Sequence, residues 1–143
     1  MIKLLWPVFL AGADNQFKEY REHCLGDTKL LNDNIKITTY HNHGAFLNLG
    51  EKNPALVKGL SIGMTAVLSV VFLLTFTHKG RKSLRFGLGL LLGGAFSNTY
   101  DRLIRGYVVD YLNFPKMPGF IRNIVFNVSD FAIIIGSMIS ACS

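Results

Sequence analysis

A membrane α-helical fold is predicted for this chain: four transmembrane helices with a small extracytoplasmic β-sheet on the outer membrane surface. Three observations predict it. Apolar residues make up 50% of the chain and arrive in blocks, and roughly 17–25 such residues in a row span a bilayer. A compact basic stretch, His78-Lys79-Gly80-Arg81-Lys82 with Arg85 behind it, separates two blocks and reads as cytoplasmic. Polar and ionisable residues gather at one end of the blocks, and such positions are costly enough to be functional candidates by default.

The 143 residues suffice for one domain, and the mean hydropathy of +0.32 is too apolar for an ordinary soluble domain of that size. The net charge of +6 is spread over scattered residues. No nucleic-acid-binding motif accompanies it, so these charges read as membrane-flanking and nucleic acid is not an expected partner. Cys24 and Cys142 fall on opposite sides of the membrane in this topology, which argues against a disulfide.

The first span covers residues 1–20, with Pro7 inside and Asp14, Lys18 and Glu19 in its outer third. Twenty residues at ~1.5 Å each give ~30 Å, just enough to cross. Asp14 and Lys18 are four apart and share a face, so they can pair; the competing reading is a solvated helix end. A second possibility is a signal peptide ending at Ala11-Gly12-Ala13, but its 13 residues fall short of the usual ~15–30. Residues 21–58 form an outer β region. Ile35 to Tyr40 alternates and is β-branched, so it reads as a strand. His41-Asn42-His43-Gly44 reads as a turn and Ala45-Phe46-Leu47 as a second short strand. His41 and His43 have no third ligand nearby, so they read as exposed turn histidines and no metal is expected.

Residues 59–77 form a span without a formal charge. Residues 83–103 form the third span, where Gly89 and Gly93 make a small-xxx-small face for close packing. Gly94, Asn98, Asp101 and Arg102 continue as a stripe that begins small and ends polar. Such a stripe suits a membrane helix opening into a wet cavity. Residues 104–120 form an outer loop, broken by Pro115, Pro118 and Gly119. Residues 121–141 form the fourth span, with Asn127 and Asp130 three apart on one face.

The polar groups share a depth. Measured from the cytoplasmic ends at ~1.5 Å per residue, Asp14 lies ~20 Å up, Asn98 ~22 Å and Asp130 ~20 Å. Two carboxylates close together in such a layer share a proton, and their pKa values split. The ionised member takes a proton from water while the protonated one polarises a carbonyl, which suits peptide hydrolysis. Asn98, Arg102 and Asn127 read as residues that orient the carboxylates or bind substrate backbone, or as polar ties between helices. The adjacent Arg102 and the helical geometry suit a structural ion pair or a surface position for Asp101. Spacing by itself does not select Asp110 over Asp101 as the partner of Asp130.

At these residues the chain resembles the bacterial lipoprotein signal peptidases (signal peptidase II). The family pattern GG-A-x-x-N-x-x-DR is met by Gly93-Gly94-Ala95, Asn98 and Asp101-Arg102. G-x-V-x-D-F is met by Gly106 to Tyr111, and F-N-x-A-D by Phe126 to Asp130. The weaker D-Q-x-x-K and N-x-G-A elements fall on Asp14, Lys18, Asn42, Gly44 and Ala45. The resemblance implies a single integral-membrane protease domain over residues 1–143, an aspartic endopeptidase without cofactor. It implies removal of signal peptides from diacylglyceryl-modified prolipoproteins, with membrane lipids as further partners. It also implies a multi-pass protein of the bacterial cytoplasmic (inner) membrane with its site near the extracytoplasmic face; a monomer is expected. The family's catalytic pair falls on Asp110 and Asp130. Its substrate-binding or site-shaping positions fall on Asp14, Lys18, Asn42, Gly44, Asn98, Arg102 and Asn127.

The chain departs from that pattern in several places. Asn15 replaces glutamine, Tyr111 phenylalanine and Ser129 alanine, Ile124 stands where proline is usual, and Phe46 falls in a reshaped G-A-A-F. Ser129 is expected to donate a hydrogen bond to Asp130 and so to lower its pKa. These changes mark a divergent member. The alternative function is a catalytically inactive lipoprotein- or lipid-binding membrane protein on the same scaffold.

Overall fold

The computed structural model describes residues 2–24, 26–45, 50–77 and 80–143, without the side chains of Ile2 and Lys3. Four helices surround a polar centre, and a four-stranded antiparallel sheet closes one end. In chain order these are α1 (Ile2–His23), β1 (Thr28–Leu30), β2 (Ile35–Asn42), α2 (Pro54–Leu74), α3 (Lys82–Ile104), β3 (Val108–Asn113), β4 (Val125–Phe126) and α4 (Val128–Ala141). The sheet order is β1-β2-β3-β4.

The helix α3 is central and packs on α1, α2 and α4. Its glycines explain how. A Cβ on Gly93 would lie 2.9 Å from the Pro7 carbonyl of α1, and one on Gly94 would lie 2.4 Å from the Ser129 carbonyl of α4. No larger residue fits at either contact without moving a backbone. The expected close packing at Gly89 and Gly93 is therefore packing against α1, where Trp6 lies over Gly89. On the other side α2 meets α3 through Phe72, Leu88 and Leu92, the buried apolar cluster of the molecule.

Among the described residues, one helix is both long and apolar enough to cross a membrane on its own: Pro54–Leu74, with a mean hydropathy of 2.0 in its best window. It begins with Asn53, whose side chain accepts the Leu56 N–H, and with Pro54 in the first turn, where no donor is lost. The helix α4 is apolar but shorter. Apolarity alone does not mark α1 and α3, because both carry polar side chains that are buried against one another.

Several local expectations change. His41 and Asn42 belong to β2 and not to a turn, because β3 runs alongside them in the register His41↔Val109 and Asn42↔Val108. The partners of β2 are β1 and β3, the first of which had no clear sequence signal. Ala45 lies outside any strand, and Phe46 and Leu47 lie outside the described residues, as do His78 and Lys79 of the basic stretch. The fourth helix starts at Val128, not near residue 121. A short 3-10 turn at Ile121–Asn123 and then β4 occupy the segment before it. Asn127 and Asp130 therefore do not share a helix face. They form a capping box: Asn127 accepts the Asp130 N–H, and Asp130 accepts the Asn127 N–H.

Candidate active site

The loop after α3 sets where Asp110 sits. The Asp101 carboxylate accepts the Val109 N–H at 3.1 Å, which ties the start of β3 back to the last turns of α3. Asp110 then points out of β3 opposite Tyr40 and is almost fully buried. Asp130 is held in the first turn of α4 by the capping box. The strand β4 joins the two, because Phe126 pairs with Leu112 just before Asn127 caps the helix.

Each carboxylate has a donor on both oxygens. Asp110 accepts Asn127 Nδ2–H on Oδ1 at 2.7 Å and Asn42 Nδ2–H on Oδ2 at 3.1 Å. Asp130 accepts Asn98 Nδ2–H on Oδ1 at 3.0 Å and the Asn127 backbone N–H on Oδ2 at 2.9 Å. The amide orientations follow from chemistry. Lys18 can only donate, and its ammonium lies 2.9 Å from Asn98 Oδ1, so the Asn98 NH2 must face Asp130. The Asp130 N–H on Asn127 Oδ1 turns the Asn127 NH2 toward Asp110 in the same way, and the Gly44 N–H does so for Asn42. Asn98 and Asn127 also meet each other at 3.2 Å.

Behind the two aspartates lies an ion cluster. Lys18 is fully buried and sits 3.0 Å from both Asp14 and Asp101. Asp101 also pairs with Arg105, which continues to the exposed Glu19. The Asp14–Lys18 pair is thus internal, and neither residue is a solvated helix end. Asp101 is buried as well, and its cations are Lys18 and Arg105, not Arg102. Ser129 does not reach Asp130: it donates to Asp14 Oδ2 at 2.5 Å, so the hydrogen bond expected on Asp130 is absent. Ser97 donates to the same oxygen at 2.7 Å, and the Tyr111 hydroxyl donates to Asp14 Oδ1 at 2.5 Å.

Arg102 donates to the Gly44 carbonyl at 2.8 Å and to that of Asn98 at 3.3 Å. Its buried Nε has no partner among the described residues. Asp14, Lys18, Asn42, Gly44, Asn98, Arg102, Asp110, Asn127 and Asp130 are therefore linked in one hydrogen-bonded network. Of the two positions that the sequence suggested for Asp101, the structural ion pair holds, with other cations than Arg102, and the surface position does not; sequence reasoning missed Ser97 and Tyr111 as members of the surroundings. The spacing of Asp101 and Arg105, four apart on a helix, was the available signal for its cation. His41 stacks on Tyr107 and lies 3.0 Å from Glu22, at the surface and apart from this network.

The network opens into a cavity of about 550 Å³ bounded by α2, α3, α4 and the sheet. Asn42, Asn98, Arg102, Asp110 and Asp130 line its polar end, and Leu60, Met64, Leu68, Ile133 and Ile134 line its apolar part. Burial raises the Asp110 carboxyl first and the Asp130 charge raises it further, to about 7; the Asn42 and Asn127 hydrogen bonds oppose the rise. Burial and the Asp14 carboxylate likewise raise the Tyr111 phenol, which remains a donor.

A sequence model described as signal peptidase (SPase) II matches residues 7–143. The chain belongs to the signal peptidase II family. Among its relatives, the lipoprotein signal peptidase of Alteromonas mediterranea is 32% identical over 147 residues, covering 95% of this chain and 76% of the relative. That of Moorella thermoacetica is 38% identical over 106 residues, covering 72% of this chain and 63% of the relative. A solved structure described as a bacterial membrane enzyme superposes with a TM-score of 0.80 at 20% identity, covering 96% of this chain and 83% of that one. That likeness shows a shared fold.

Proposed function

We propose that this signal peptidase II family member is an intramembrane aspartyl endopeptidase that removes signal peptides from diacylglyceryl-modified prolipoproteins. The observation that carries the reading is the pairing of Asp110 and Asp130. Asp110 is buried and Asp130 partly so, both are held by amide donors on each oxygen, and both line the polar end of a largely apolar cavity. An apolar groove ending in two carboxylates fits an apolar signal peptide with acyl chains attached near the scissile bond.

In the reaction, the ionised carboxylate takes a proton from a water while the other, protonated, donates to the scissile carbonyl oxygen. The new C–O bond gives a tetrahedral species. Its collapse breaks the C–N bond, with a proton passing to the leaving amine. Asn98 and Asn127 orient the two carboxylates. Arg102, with a free buried donor at Nε, is suited to a substrate carbonyl, and the Asn42–Gly44 segment holds Arg102 and Asp110 in register. Lys18 lies between Asp14 and Asp101 and, with Arg105 on Asp101, offsets their charge and so keeps the centre's net charge low.

In this reading all four helices cross the cytoplasmic membrane of a bacterium, residues 1–143 act as one domain, and the sheet lies at the extracytoplasmic face. The polar faces of α1 and α3 are compatible with crossing because they face protein and not lipid. The protein works as a monomer among membrane lipids.

Purified protein in detergent, incubated with a diacylglyceryl-modified prolipoprotein, is expected to produce the shorter band on a gel. Asp110→Asn and Asp130→Asn should each lower the rate by about 10²–10⁴-fold while the protein still accumulates in the membrane. Undiminished cleavage by either variant would refute the aspartyl assignment. Binding without cleavage by the parent, on a substrate that an active relative cuts, would favour a binding protein on this scaffold.

A further inference from the structure

The residues that immediately adjoin the two proposed catalytic aspartates converge on one carboxylate. Tyr111 follows Asp110 in β3, and its hydroxyl donates to Asp14 Oδ1 at 2.5 Å. Ser129 precedes Asp130 in α4, and its hydroxyl donates to Asp14 Oδ2 at 2.5 Å. The Tyr111 oxygen also accepts the Val128 N–H at 3.2 Å, so the strand is tied to the first turn of α4 directly as well. All four groups are in the interior: Asp14 is 4% exposed, Tyr111 2%, and Ser129 and Lys18 not at all.

From this geometry we propose that Tyr111 and Ser129 are paired positioning residues. Through Asp14 they fix the separation of Asp110 and Asp130. The inference rests on the aspartyl reading above. Asp110 and Asp130 come from different elements, a strand and a helix start; the β3–β4 pairing Leu112↔Phe126 ties those elements together on one side only and leaves the interior side next to α1 to side chains. A single carboxylate bonded to the neighbour of each ties that side. Asp14 is itself fixed by Lys18 and Ser97, so the clamp is anchored on α1 and α3. Tyr111 and Ser129 are also two of the positions where the chain departs from the family pattern. These two departures meet on one carboxylate, and a hydroxyl stands at each where the pattern has none.

The two hydroxyls are not equivalent. Asp14 Oδ2 accepts from Lys18, Ser97 and Ser129, whereas Tyr111 is the one partner of Oδ1 among the described residues. Loss of the tyrosine hydroxyl leaves a buried carboxylate oxygen unsatisfied and also orphans the Val128 N–H; loss of the serine hydroxyl leaves both oxygens bonded. The titratable groups that face this junction are Lys18 on α1, Asp101 on α3, Asp110 on β3 and Asp130 on α4.

The test measures kcat, KM and the pH profile of prolipoprotein cleavage for the full-length parent, Tyr111→Phe, Ser129→Ala, the double variant and Asp130→Asn. Tyr111→Phe should lower kcat about tenfold and Ser129→Ala about two- to threefold, with KM unchanged. In the double variant the two losses should not multiply, because both act through Asp14. Part of the upward push on Asp110 comes from Asp130, so a looser pair should move the alkaline limb of the profile to lower pH. A merely structural role would lower the amount of folded enzyme and leave both kcat per folded enzyme and the limb in place. Parent-like kcat and profile in Tyr111→Phe, with Asp130→Asn inactive, would overturn the clamp and leave the aspartyl reading standing. An active Asp130→Asn would overturn the aspartyl reading itself. Phenylalanine and alanine are the residues of the family pattern at these positions, so both substitutions fit the fold; should Tyr111→Phe not accumulate, the Ser129→Ala profile decides on the same criterion.

Discussion

The protonation of Asp110 is set by its surroundings. Its carboxyl is raised to about 7 by burial and by Asp130, whereas an unfolded chain would titrate it near 3.8. A raised acid pKa means that the protonated form is the one folding favours. Its contribution is therefore fully present below about pH 3.8 and is lost as pH rises through about 7. Asparagine mimics the protonated form. Asp110→Asn should accordingly unfold at a higher temperature than the parent at pH 8, with the gain fading toward pH 4. Equal midpoints across that range, measured in detergent by circular dichroism, would show that Asp110 is not held in this way. The same residue shows how far single positions were legible. The spacing of Asp14 and Lys18 allowed their pairing beside a solvated helix end, and the structure shows the pair. That Lys18 also serves Asp101 does not follow from spacing, because the two lie on different helices and meet only after packing.

The decisive element is α3, and its two adjacent glycines determine how near its neighbours come. Gly94 lets the carbonyl of Ser129 approach to where a Cβ would be only 2.4 Å away. That contact brings Asn98, one turn further along α3, within 3.0 Å of Asp130. Gly94→Ala should push α3 and α4 apart, cost about 1–3 kcal/mol of stability and lower cleavage more than it lowers the amount of folded protein. Retained activity and an unchanged thermal midpoint would mean that α4 shifts without disturbing Asp130. The small-residue pattern of α3 was visible in the sequence. Which glycine met which helix was not, because one helical turn presents several faces and only the neighbours select among them.

At the scale of the whole molecule, α2 is the helix long and apolar enough to cross a membrane among the described residues, and α1 and α3 bury their polar side chains against one another. The proposed topology puts Cys24, just after α1, outside, and Cys142, at the end of α4, inside; neither is in a disulfide. In intact cells a membrane-impermeant maleimide should label a variant retaining Cys24 alone and not one retaining Cys142 alone, and after permeabilisation Cys142 should label too. Labelling of Cys142 in intact cells would reverse the orientation or remove α4 from the membrane. The outer sheet illustrates the limit of local reading at this scale. β2 was legible as a strand from its alternation. Its partner β3 lies some seventy residues on in the chain (Tyr40 pairs with Asp110), and strand pairing at that distance leaves no local pattern.

The sequence by itself determined that four helical segments occur in this order and that the chain belongs to the signal peptidase II family. Rise per residue and hydrophobic period carry that information along the chain. Only the tertiary structure decided which groups touch: that Asn127 and Asp130 cap a helix, that Asp101 serves Lys18 and Arg105, and that Ser129 turns to Asp14 and not to Asp130. A hydrogen bond forms or fails over a few tenths of an ångström. Period and rise place a side chain on a face and at a height, but the last ångström is settled by how closely α3 packs against α1 and α4.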